Sequence, residues 1–155
     1  MAIRNILNEK EEILYKISRP VEVFDERLFT LLDDIKETLS LADGVGLAAP
    51  QVGVLRRVVV VDIGEGVIEL INPKITLKKG NQEGIEGCLS CPGKYGITSR
   101  PRWVRVRAQN RHGKVFYVTG EDVLARIFCH ELDHLDGKLF YEHVIEMVDP
   151  EKLKK

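Results

Sequence analysis

His130 and His134 stand four residues apart, with Glu131 beside the first; of all the residues in the chain, these are the best suited to chemistry. On a helix, side chains at that spacing leave one face about one turn apart. Two such imidazoles can share a metal ion, and the adjacent glutamate can reach a water on it. A catalytic centre of this kind needs a third protein ligand and an open position. Cys88, within Glu86-Gly87-Cys88-Leu89-Ser90, is the best candidate, because a thiolate binds soft divalent metals strongly. The chemistry this predicts is amide hydrolysis, with metal-activated water as nucleophile and Glu131 as general base.

Two other uses of the same residues compete with this reading. A generic H-E-x-x-H metallopeptidase would use His130, Glu131 and His134 and leave the Cys88 segment idle. Alternatively, Cys88 and Cys91 form C-x-x-C, and with both histidines they could close a structural zinc site in a non-enzymatic binding module. The gap between the cysteine and histidine pairs is far longer than in a small zinc finger. An extended Cys88–Ser90 segment would also point Cys91 away from Cys88. A redox use of C-x-x-C finds no helix pattern starting there. Cys129 reads as a buried thiol.

The elements that must hold these residues can be read from periodicity. Leu28, Leu31, Leu32, Ile35 and Leu39 predict a long N-terminal helix over Asp25 to Ala42, stopped by Gly44. Leu124, Phe128, Leu132 and Leu135 give the core stripe of a second helix over Glu121 to Asp136, capped by Thr119 or Gly120 and ended by Gly137. Val123, Ile127, His130, Glu131 and His134 fall on its other face. Between the helices, Arg57 to Ile63 and Val67 to Ile71 read as a hairpin around Gly64 and Gly66, and Asn72-Pro73 breaks the pattern. Ile75 and Leu77 open a further strand or irregular segment. Trp103 to Ala108 and Val115 to Val118 read as two more strands. Strands flanked by helices predict an α+β fold with mostly antiparallel sheets around the C-terminal H-E-x-x-H helix.

Composition sets the outer limits. The 155 residues suit a single domain over 1–155, able to bury roughly 70% of the surface exposed on unfolding. The net charge of −1 supplies no global field for DNA or an anionic membrane. The clusters Arg100, Arg102, Arg105, Arg107 and Lys152, Lys154, Lys155 read as solvated faces. No secretory signal or run of transmembrane length is visible, which predicts a cytoplasmic protein. Three cysteines in such a chain point to ligands or buried thiols rather than disulfides.

Three segments together resemble the peptide deformylase family: Gly44-Val45-Gly46-Leu47-Ala48-Ala49-Pro50-Gln51, Glu86-Gly87-Cys88-Leu89-Ser90 and His130-Glu131-Leu132-Asp133-His134. The resemblance implies that Cys88, His130 and His134 bind one divalent metal, usually ferrous iron; zinc, nickel and cobalt suit the same ligands. It implies that Glu131 is general base and then proton donor, with Gln51 and the Leu89 N–H stabilising the oxyanion. The implied substrate is the N-formyl group on the initiator methionine of nascent polypeptides in a bacterial cytoplasm. That substrate raises contact between the basic tail and the ribosome exit region; a solvated end is the competing reading. Gly44 and Gly46 are expected to allow tight turns and close approach to a ligand. Val45, Val123 and Ile127 are expected to form the methionine pocket, with Arg126 at its rim. Arg100 matches a family arginine that binds the peptide backbone; a strand-surface charge is the competing reading. Cys129 departs from the family, which often carries Gln before the third motif.

Overall fold

The computed structural model describes residues 2–153. Helix α1 runs over Glu26–Ala42. Its start follows from Asp25, whose carboxylate accepts from the N–H groups of Arg27 (3.2 Å) and Leu28 (3.4 Å). Its stop is Asp43, which takes the left-handed conformation (φ 55°) that had been expected of Gly44. Gly44 answers to packing instead: a Cβ there would lie 2.8 Å from Leu89 Cδ1 and 3.0 Å from Leu39 Cδ1.

Among the described residues, eight strands form two antiparallel sheets. β1 (Gly46–Ala48), β2 (Val58–Asp62), β3 (Val67–Lys79), β6 (Trp103–Gln109) and β7 (Val115–Glu121) form a five-stranded sheet in the order β1-β2-β3-β6-β7. β4 (Gln82–Cys88), β5 (Cys91–Arg100) and β8 (Val144–Val148) form the second sheet in the order β4-β5-β8. Helix α2 runs over Val123–Leu135.

The valine run of β2 explains the layering. Side chains alternate across a strand. Val58 and Val60 pack with Leu28, Leu32, Ile35 and Leu39 of α1, while Val59 and Val61 pack with Phe128, Leu132 and Leu135 of α2. The first sheet therefore lies between the two helices. α2 meets the second sheet through polar side chains: His130 bonds Glu86 of β4, and Asp133 bonds Arg100 of β5.

Three local expectations are corrected. Asn72-Pro73 does not end a strand; β3 runs through it with a register shift between Ile71 and Lys74, and Asn72 adopts φ 51°. A bulge tolerates the missing proline N–H. α2 does not begin at Glu121 under a Thr119 or Gly120 cap. Those residues pair with Arg105, Val104 and Trp103 in the β6–β7 ladder, and Asp122 (φ 54°) turns the chain into the helix without a side-chain cap. Cys88–Ser90 is not an extended run either. Leu89 and Ser90 turn the chain between β4 and β5, so Cys88 and Cys91 face each other as register partners. Among the described residues no helix is long and apolar enough to cross a membrane. Lys154 and Lys155 of the basic tail lie outside the described residues.

Candidate metal centre

Two elements bring three side chains to one point. α2 presents His130 and His134 from the same face, and the end of β4 presents Cys88. One potential ligand atom from each lies within 4.8 Å of the others. Cys91 is not part of this group, although it faces Cys88. It is buried with Leu139 and Phe140 instead. The cause of its exclusion is therefore not the extended strand expected from sequence but the apolar niche into which the turn folds it.

Each imidazole is oriented differently. His130 Nδ1 meets Glu86 Oε2 at 2.5 Å, which leaves Nε2 for the centre. Glu86 is itself fixed, accepting from Thr98 Oγ1 (2.8 Å) and from Arg100 Nε (3.1 Å) and Nη2 (2.7 Å). Arg100 Nη1 continues the chain to Asp133 Oδ2 at 2.8 Å. His134 Nε2 lies 3.4 Å from Cys88 Sγ, and its Nδ1 is buried with no hydrogen-bond partner among the described residues.

The electrostatics follow from burial and neighbours. Burial, then the charge of His130, holds His134 well below the ordinary imidazole range, so it is neutral and can donate a lone pair. Burial pulls His130 down too, but the charge of Glu131 and the bond to Glu86 outweigh it, and the net shift is upward. Burial opposes ionisation of Glu86, yet His130 and Arg100 together bring it down to about 2. The hydrogen bond with Cys91, then burial, pushes the Cys88 thiol up. A divalent cation beside that sulfur would reverse the shift.

Glu131 is buried in the centre with Oε2 4.0 Å from His130 Nε2, and its Oε1 has no hydrogen-bond partner among the described residues. Burial, reinforced by the charge of Glu86, raises its carboxyl to about 7. An orphaned carboxylate oxygen beside one thiol and two imidazoles fits a site built for a cation and a water. Gly46 makes room for it, since a Cβ there would meet Glu131 Oε2 at 2.7 Å.

Gln51 is fully ordered by its neighbours. It sits in the 3-10 turn Ala49–Val52, accepts from the Ala48 N–H (3.0 Å), and donates through Nε2 to Ser90 Oγ (3.0 Å) and towards Cys88 Sγ (3.6 Å). Its amide is thus at the sulfur corner of the centre. Leu89, the residue after Cys88 in the turn, packs its side chain with the α1 layer.

The residues expected around a substrate separate into distinct surroundings. Val45 is 49% exposed and Val123 is 60% exposed, whereas Ile127 is buried in the core with Ala48 and Phe128. These three do not form one enclosed apolar wall. Gly44 and Gly46 accommodate Leu89 and Glu131 rather than open space. Arg126 lies over Gly84, with Nη2 3.2 Å from Gln82 Oε1. Arg100 is 2% exposed and engaged by Glu86 and Asp133, which fits neither a strand-surface charge nor a free donor for a peptide. Glu86, Asp133 and Ser90 carry roles that were not assigned from sequence. For Glu86 a signal existed: it lies two residues before Cys88, on the same side of a strand, and a ligating histidine usually needs a carboxylate behind it. Cys129 is a buried thiol, raised to about 11 chiefly by burial.

Known proteins are similar to this chain in sequence and in fold. Residues 3–149 match the family model described as polypeptide deformylase. A peptide deformylase of Acetivibrio thermocellus is 54% identical over 100% of this chain and 91% of its own. The crystal structure of a peptide deformylase from Legionella pneumophila superposes with TM-score 0.90 at 48% identity, covering 92% of this chain and 86% of the other. That of the Thermotoga maritima peptide deformylase gives TM-score 0.90 at 36% identity, covering 93% and 99%. The chain belongs to the polypeptide deformylase family.

Proposed function

We propose that this member of the polypeptide deformylase family removes the N-formyl group from the initiator methionine of nascent polypeptides, using Cys88, His130 and His134 to hold one divalent metal. The observation that carries the reading is the meeting of those three ligand atoms within 4.8 Å beside a buried carboxylate oxygen with no hydrogen-bond partner among the described residues. When bound, the cation supplies Lewis acidity, which brings the pKa of water near neutrality. Ferrous iron is the proposed metal; zinc, nickel and cobalt suit the same donors.

The remaining chemistry belongs to the chain. Glu131 accepts the proton of the attacking water and passes it to the leaving amine. The Gln51 amide and the Leu89 N–H donate to the oxyanion that forms on the formyl group; loss of one such donor costs about 3 kcal/mol of transition-state stabilisation. Glu86 fixes the His130 ring and keeps Nδ1 protonated. Val45, exposed beside the centre, flanks the methionine, while Gly44, Gly46 and the buried Ile127 shape that side of the substrate site from within the packing. The bacterial relatives and the nature of the substrate support action in the cytoplasm on chains leaving the ribosome.

Deformylation of formyl-Met-Ala-Ser by protein prepared without oxygen and assayed for metal content tests this. Formate release from the formyl peptide is expected, with no acetate from acetyl-Met-Ala-Ser and no formate from the formyl peptide with the Glu131→Gln variant or chelated protein. Folded, metal-loaded protein that cleaved unformylated internal peptide bonds instead would transfer the site to the generic metallopeptidase class.

A further inference from the structure

Cys91 has no part in the proposed reaction, yet it stands directly opposite a proposed ligand. It is 1% exposed and faces Cys88 as register partner across the Leu89-Ser90 turn, and Cys88 packs against the cluster that Cys91 forms with Leu139 and Phe140. Directly opposed residues on antiparallel strands have Cα atoms about 4.5–5.5 Å apart. A disulfide accepts about 4.4–6.8 Å. The pair, at the turn end of the β4–β5 ladder just past a register shift at Gly87, is thus placed within the range that a disulfide spans.

The turn that presents the pair is also held from outside. The Glu9 N–H donates to Ser90 O at 2.8 Å, and the Glu9 carboxylate pairs with Lys94 and accepts from Tyr141 at 2.5 Å. Cys129, the third cysteine, packs in the core between α2 and the first sheet, away from this cluster. Cys88 is the more exposed residue of the pair, and Cys91 is buried.

We propose that Cys88 and Cys91 are an oxidisable pair, closing to a disulfide that withdraws the Cys88 sulfur from the metal group and spares it from irreversible oxidation. The oxidant is a peroxide. Its O–O bond breaks as the Cys88 sulfur takes one oxygen to become a sulfenic acid, and the other oxygen leaves as water. The Cys91 sulfur then attacks that of Cys88. The S–O bond breaks, the hydroxyl leaves as water with the Cys91 proton, and the S–S bond forms. Two thiols lose two electrons and one peroxide becomes two waters. An external dithiol reverses the change. The consequence for metal binding rests on the proposed ligand role of Cys88; the pairing itself does not.

The test treats metal-loaded, full-length protein with hydrogen peroxide. Intact mass, free-thiol titration, retained metal and unreduced peptide mapping are followed together. The expected result is loss of two hydrogens, a fall from three free thiols to one, a mapped Cys88–Cys91 link, and recovery with dithiothreitol and fresh metal. In Cys91→Ser, and in Cys91→Ala should the serine variant melt early, Cys88 is expected to gain two or three oxygens and recovery to be lost. The proposal is overturned if oxidised wild type maps Cys88 as sulfinic or sulfonic acid without the link, or if either folded variant recovers as the wild type does. A mapped disulfide that retained its metal would leave the pair standing and count against the ligand role of Cys88.

Discussion

Gly46 and Glu131 are in such close register that one methyl group separates an intact carboxylate position from a displaced one. A Cβ on Gly46 would lie 2.7 Å from Glu131 Oε2, 2.9 Å from Cγ and 3.0 Å from Cδ. The β1 backbone is therefore the wall against which the proposed general base rests.

Gly46→Ala should then act on rate more than on stability. The carboxylate must move to admit the methyl, and a displacement near 1 Å costs about 100-fold in rate. Global stability should fall by about 1 kcal/mol, since one side chain adjusts at the margin of the core. Formate-release kinetics beside denaturant unfolding would separate the two; unchanged kcat/KM would show that Glu131 has room the packing denies it.

Glu86 supplies the second prediction. Its carboxylate accepts from His130, Arg100 and Thr98. Glu86→Gln removes the charge that holds the His130 ring and leaves Arg100 buried beside a neutral amide. Metal affinity should fall about 10- to 100-fold, as for other partners of ligating histidines. Stability should fall by about 3 kcal/mol. Competition with a chelator reads the first and urea unfolding the second. An affinity equal to wild type would show that His130 is oriented by packing alone.

Arg100 is where the sequence and the structure differ most, and the cause is physical. An arginine on a strand in a polar stretch reads as surface or as substrate contact. Nothing local reveals that Glu86 and Asp133, 14 and 33 residues away, will bury it. The whole β4–β5 hairpin suffers likewise. Its inward positions carry Glu86, Thr98 and Arg100, so it has neither the β-branched run that betrayed β2 nor the apolar alternation that betrayed β6. The two helices, by contrast, carry leucine and phenylalanine stripes at helical spacing, and the metal-ligand candidates were legible because their types and spacing are local properties. Partners that arrive across the sheet are not.

That reassignment is itself testable. Arg100→Ala should cost about 3–5 kcal/mol in stability, because Glu86 is left buried without its guanidinium. If Arg100 held a peptide backbone, longer formyl peptides would lose more rate than formyl-Met alone. The burial of Arg100 predicts the same proportional loss on both, measured as kcat/KM at a temperature where the variant is folded. A loss confined to the longer peptides would return Arg100 to the substrate.

Glu131 makes the pH dependence explicit. Burial, helped by Glu86 and opposed by His130, raises its carboxyl from 4.5 to about 7. A carboxyl raised on folding binds its proton more tightly in the folded chain, so the stability it permits is complete below the unfolded value and is lost as pH rises through about 7. Glu131→Gln is neutral throughout. In chelated protein the variant should melt with the wild type at about pH 5 and above it at about pH 8, by on the order of 2 kcal/mol. With a cation bound the carboxylate is favoured, so the acid limb of kcat/KM should fall at or below about 7, activity rising with pH as Glu131 loses its proton. A melting gap of equal size at both pH values would mean that the carboxylate finds solvation inside the centre, and the raised pKa would have to be abandoned.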